Sequence, residues 1–181
     1  MIDAFLDSLV WADLLLIVST GLAFVAFQVK GREKILGLKI TADSIFCLYM
    51  ILVGAYTGAA GAAIAFLGGF IQVVTPAHMA RQTKKLRLVL ACILSIAAVA
   101  ILGRTLTDSY PLVSVIVSRF GEVFQSTLIV RSVYLVAVMP WIIYNYDNGL
   151  YAAILVNILI AGSMIMGLWR NERRIPRDPV P

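Results

Sequence analysis

Positive charge is confined to three short stretches of this chain, and nothing else restricts its fold as much. Twelve of the fifteen Lys and Arg residues fall in the groups Lys30/Arg32/Lys34/Lys39, Arg81/Lys84/Lys85/Arg87 and Arg170/Arg173/Arg174/Arg177. Long apolar runs separate the groups, broken by small turns almost free of positive charge. Basic loops stay on the cytoplasmic side of a bilayer, so the pattern is that of a multi-pass membrane protein.

Composition supports this. The chain is 61% hydrophobic, with a mean hydropathy of +0.92. Folded in water, it would expose more apolar surface than soluble proteins tolerate. A spanning helix needs about 20 mainly apolar residues to cross roughly 30 Å of hydrocarbon, so 181 residues allow about seven short-linked helices and no soluble domain. Asp3 and Asp7 near the start do not read as the basic region of a cleaved signal peptide, and the first helix is expected to be retained. The net charge of +5 could suggest phosphate binding. The basic groups abut apolar runs, however, which fits anchoring at anionic lipid heads, and no nucleic-acid partner is expected. Cys47 and Cys92 lie in apolar runs without metal-ligand or redox spacing and read as buried free thiols.

The expected spans are about 9–29, 36–55, 58–79, 86–106, a fifth beginning near Ser109, a sixth ending near Tyr146, and 149–169. The stretch from Ser109 to Tyr146 is too long for one crossing, and a break is expected around GEVFQST with Gly121 as terminator. That puts Arg119, Glu122 and Arg131 at the cytoplasmic interface; a longer fifth helix would make Arg119 and Glu122 a buried i, i+3 pair. Counting crossings between basic groups requires an odd number of helices, with the acidic N-terminus outside and the C-terminus cytoplasmic. The fold class is therefore all-α membrane protein with seven transmembrane helices. It forms a single integral membrane domain over 1–181: a first three-helix bundle (9–79), a connector helix (86–106), a second bundle (109–169) and a basic cytoplasmic tail (170–181). A shift of 90 residues pairs Tyr56 with Tyr146 and Ala62-Ala63-Ile64 with Ala152-Ala153-Ile154, which suggests two parallel repeats.

Candidate functional residues concentrate in the second bundle. Pro140 inside a membrane helix frees a backbone carbonyl that must find another partner. Trp141 and Asn145 are four apart and share a helix face, a platform for a small polar solute. The alternative is interfacial aromatics followed by turn chemistry in Asn-Tyr-Asp-Asn-Gly. Asn157 lies deep in the last helix and must bond either a neighbouring helix or a ligand. Gln72, Pro76 and His78 offer a similar choice in the third helix, with His78 at the interface. Asp43 could snorkel beside Lys39, or pair with Arg131 across the bundles. The run GAAGAAIAFLGG allows close helix packing and, secondarily, room for a solute. No nucleophile–base pair, metal-ligand cluster or phosphate loop is present in the sequence, so neither enzymatic activity nor a cofactor is expected.

The order of LVGAYTGAAGAAI, VSVIVSRFGEVFQSTLIVRS, PWIIYNYDNG and the terminal GLWR resembles the YgjV family of bacterial inner-membrane proteins. That family is similar in architecture to the MtN3/SWEET and PQ-loop transporters. The resemblance implies a plasma-membrane carrier whose pocket uses a Trp from the second helix of a bundle and an Asn from the third. Trp141 and Asn157 match these roles. In the first bundle the 90-residue shift places Ile51 and Leu67 there, and the sequence has no Pro-Gln dipeptide. The implied partners are the lipid bilayer and a small polar solute, with a non-transporting scaffold as the alternative. Oligomeric state is left open.

Overall fold

A computed structural model describes residues 2–75, 77–124 and 126–172. It holds seven helices: α1 (Ile2–Gln28), α2 (Arg32–Leu52), α3 (Tyr56–Val74), α4 (Ala77–Leu102), α5 (Tyr110–Glu122), α6 (Thr127–Asp147) and α7 (Tyr151–Glu172). A short 3-10 turn, Leu106–Ser109, leads into α5. All but α5 are long and apolar enough to cross a membrane. At 13 residues, α5 is about 20 Å long and falls short of the hydrocarbon thickness by itself.

Local chemistry explains where the ends fall. The expected third span runs to Met79, yet α3 stops at Val74 and Thr75 is extended, with φ −78° and ψ 123°. Thr75 precedes Pro76, and a residue before proline is pushed out of the helical region. The next helix then begins at Ala77, so Arg81, Lys84, Lys85 and Arg87 ride on the first turns of α4 rather than in a loop. Likewise Lys34 and Lys39 lie within α2. The expected break before α6 is present, but Gly121 does not make it. It is helical and buried, and a Cβ there would meet Val133 at 2.7 Å. Gly121 therefore serves close packing of α5 on α6.

The helices form a closed ring in the order α1, α2, α3, α5, α6, α7, in which α7 returns to α1. Helix α4 packs outside the ring against α3 and α5. The bundle of all seven helices turns a broad apolar surface outward. Its outer face carries Ile101, Val136, Tyr151 and Trp169, all exposed, as contact with lipid demands. Its interior combines apolar residues such as Met50, Leu112 and Val130 with small and polar ones, including Ser114, Ser163 and Asn145. The glycines of α3 let neighbours approach: a Cβ at Gly58 would lie 2.9 Å from Tyr144, one at Gly61 3.1 Å from Pro111, and one at Gly68 2.9 Å from Arg119. On the opposite side of the ring, Gln28 Nε2 donates to the backbone and hydroxyl oxygens of Ser163 at 2.8 Å, joining α1 to α7.

Candidate functional site

The turns at one end of the ring set the geometry of the site. Gly54, between α2 and α3, has φ +75°; Gly149, between α6 and α7, has φ +69°, a conformation that favours glycine. Both turns use the same hydrogen bonds. Val53, Gly54 and Ala55 donate to Tyr49, Ile51 and Met50; Asn148, Gly149 and Leu150 donate to Tyr144, Tyr146 and Asn145. Every corresponding residue is 95 positions further along the chain (Val53 to Asn148, Met50 to Asn145). The starts of α2 and α6, and of α3 and α7, are separated by the same offset (Arg32 to Thr127, Tyr56 to Tyr151). A register of 90, which the Tyr56/Tyr146 match suggests, is therefore wrong. It was anchored on Ala and Ile identities that recur freely in membrane helices.

In the middle of the ring is a cavity of about 100 Å³. Helix α2 contributes Lys39, Ala42, Asp43 and Phe46; α6 contributes Tyr134, Ala137, Val138 and Trp141, each 95 residues on. Ala62 and Ala65 of α3 correspond in the same way to Asn157 and Ile160 of α7. Ser19, Thr20 and Ala23 of α1 correspond to Ser114, Val115 and Ser118 of α5. These nine pairs account for all of the lining except Phe27, Val156 and Met164.

Two of the pairs meet across the cavity. Phe46 and Trp141 touch edge to face, with centroids 5.4 Å apart. Seven residues along the same helices, about 10 Å away, Lys39 Nζ sits 5.3 Å from the centre of the Tyr134 ring. The cavity lies between these contacts. Its hydroxyl protons are spent on carbonyls: Ser19 and Thr20 donate to Leu16, Ser114 to Ala137, and Ser118 to Ser114. Oxygen lone pairs remain to accept. Asn157 is 7% exposed, and its Nδ2 has no hydrogen-bond partner among the described residues.

The expected site residues divide. Trp141 and Asn157 both line the cavity, as does Asp43. Asn145 does not. It is fully buried beneath the α6–α7 turn, and neither amide atom is hydrogen-bonded to any of the described residues. Sharing a helix face with Trp141 is not enough: Trp141 lines the cavity and Asn145, one turn further along α6, does not. The Asp43–Arg131 pairing is replaced by a pair within α2, Lys39 Nζ to Asp43 at 2.6 Å. Arg131 is 1% exposed and outside the cavity. It donates to the carbonyl of Val29, just past the end of α1, at 3.0 Å, and to that of Gly167 in α7 at 3.4 Å. These contacts tie α6 to α1 and α7. Pro140 interrupts α6 beside the cavity, and Ser114 supplies a donor to the nearby Ala137 carbonyl.

Arg119 and Glu122 form a buried ion pair at 2.7 Å, each side chain 4% exposed. The pair lies in the last turn of α5, where the break is expected, and its charge is buried between helices and matched by pairing. Glu122 also accepts from the Tyr134 hydroxyl, which links the pair to the end of the cavity. Gln72 accepts from Arg87 of α4, closing that amide into packing. Pro76, the side chain of His78 and the tail from Arg173 onward lie outside the described residues.

Lys39, Phe46, Ser114 and Ser118 were missed as lining residues. The signal for them was present: Tyr49, Gly54 and Tyr56 recur as Tyr144, Gly149 and Tyr151 with identical spacing. Aligning on that motif carries each lining position of one half onto the other. No curated protein and no solved structure matches this chain. A family model described as bacterial inner membrane protein matches residues 10–175. With six helices apolar enough to span a bilayer, the chain is a multi-pass inner membrane protein and belongs to the Imp-YgjV family.

Proposed function

We propose that this protein carries a small polar solute across the plasma membrane by alternating access. It does so with two parallel three-helix units, α1–α3 and α5–α7, joined by α4. In this reading all seven helices cross, with α5 completed by the 3-10 turn before it. The N-terminus is outside and the C-terminus cytoplasmic, as the basic groups require. The observation that carries the proposal is the paired lining of the central cavity. A cavity on the axis between two parallel repeats is where a solute would sit while the units rock against each other. The ring contacts fit the same axis, because exchanging the units turns the α1–α7 contact into α5–α3. The SWEET-like assignment of Trp141 and Asn157 gains partners on this register, since Phe46 and Ala62 take the matching places. About 100 Å³ admits several waters or one small solute.

Cysteine probing tests the carrier reading. With Cys47 and Cys92 replaced by alanine, single cysteines at Ala42, Ser118 and Asn157 are exposed to a membrane-impermeant thiol reagent. The reagent is added from either side of oriented vesicles. Labelling of the same positions from both faces is expected. Protection of all three from both faces in folded protein overturns the carrier in favour of a non-transporting scaffold.

A further inference from the structure

The two-fold pairing of the cavity holds for shape and fails for charge. Lys39 and Asp43 are charged, while their partners Tyr134 and Val138 are not. Charge in a membrane interior is costly and is retained where it serves a function. Here Lys39 and Asp43 are held by each other at 2.6 and 2.8 Å, with 20% and 15% of their side chains exposed. They line the central cavity rather than a loop.

Resting on the carrier reading, we propose that the solute is a small zwitterion, with a carboxylate taken by Lys39 and an ammonium taken by Asp43. Net charge decides between this and a simple anion. An anion bound to Lys39 would leave the Asp43 carboxylate without a counter-charge in a low-dielectric site, a costly arrangement. A zwitterion inserted into the pair satisfies both ends and leaves the cavity neutral. The remaining polar groups suit the same ligand. Asn157 Nδ2 is an unspent donor for a carboxylate oxygen, and the hydroxyls of Ser19, Thr20, Ser114 and Ser118, whose protons are engaged, can accept from an ammonium group. The cavity volume limits the ligand to a few non-hydrogen atoms.

Thermal unfolding of the full-length protein in detergent tests this with three probes of similar size: L-alanine, L-lactate and propane-1,2-diol. Ligand binding to the folded state raises Tm with concentration. L-alanine is expected to raise Tm at the lowest concentration, L-lactate only weakly and the diol not at all. Lys39→Met should weaken the alanine response by roughly tenfold or more, the loss of a hydrogen bond to a charged group. The double variant Lys39→Tyr/Asp43→Val copies the residues that α6 carries at the matching places, so it should fold while losing the response. A Tm rise with the diol equal to that with alanine, or an alanine response unchanged in the double variant, overturns the zwitterion while leaving the carrier standing. Silence toward all three probes, with the cavity open to thiol reagent, also overturns it. A cavity closed to that reagent from both faces removes the carrier itself.

Discussion

The hairpin α2–α3 and the hairpin α6–α7 share their turn hydrogen bonds and cavity positions, yet they divide the chemistry between them. The first supplies the ion pair Lys39–Asp43 on a face otherwise made of alanine and phenylalanine. The second supplies Trp141, Tyr134 and Asn157. The helices that precede them diverge further. Where α5 carries the buried pair Arg119 and Glu122, α1 carries Phe24 and Phe27 at the matching places, 95 residues earlier. One framework thus accommodates either apolar packing or a paired charge at one site. Backbone geometry is what the halves hold in common, and polarity is where they have room to specialise.

The sharpest way to break the comparison is to leave one half's charge unmatched. Arg119→Met removes the ion-pair partner of the buried Glu122 carboxylate, and losing one member of a buried pair costs about 3–5 kcal/mol. Unfolding in mixed detergent micelles should show this as the largest loss of stability among the changes considered. Adding Glu122→Gln should recover most of it, because a neutral amide can still pair with the Tyr134 hydroxyl. A double variant no more stable than Arg119→Met would mean that the ion pair itself, rather than charge balance, holds α5 against α6.

The two seams between the units respond differently to added bulk. Gly167 of α7 lies so close to α1 that a Cβ would meet the Phe27 carbonyl oxygen at 2.2 Å, and backbone cannot step aside cheaply. The corresponding position in α3 is Gln72, whose long side chain turns outward to Arg87. Gly167→Ala should therefore cost about 1–3 kcal/mol through forced separation of α7 from α1. Gly21→Ala in α1 has nothing within 4 Å and serves as the control. Equal effects of the two substitutions, measured by thermal unfolding, would show that the α1–α7 seam is not closely packed at all.

Much of this architecture is legible in the sequence because hydropathy and charge act over whole helices. The apolar runs locate each of the six helices long enough to span, and the basic groups mark one end of the ring. What escaped reading depends on single residues. Thr75 ends α3 because a proline follows it, which moves the start of α4 by a turn or more and draws a basic group onto a helix. Lys39 belongs by spacing to a basic group, and only the three-dimensional ring turns it inward beside Asp43. A 90-residue register does not carry the positive-φ Gly54 onto Gly149. Small apolar residues match by chance in membrane helices, whereas the Tyr–Gly–Tyr spacing reports a turn with a required backbone conformation at glycine. The sequence sets Asn145 beside a turn and Asn157 deep in an apolar helix; both are buried, and only Asn157 lines the cavity.

Asn157 is where the two halves can be compared with the smallest change. Its counterpart is Ala62, so Asn157→Ala makes that level of the cavity symmetric. If the amide joined helices, truncation would cost a hydrogen bond, about 1 kcal/mol. In this structure Nδ2 makes no such bond, and a buried donor without a partner costs about 1–3 kcal/mol in the unliganded protein. Removing it should leave stability unchanged or slightly raised, offset by the packing lost with the side chain. The same variant should respond more weakly to L-alanine than the parent. A clear drop in unliganded stability with an unchanged alanine response would reverse the assignment and make Asn157 a packing residue. Stability kept and response lost would place the one amide among the paired α3 and α7 lining positions on the solute side of the cavity wall.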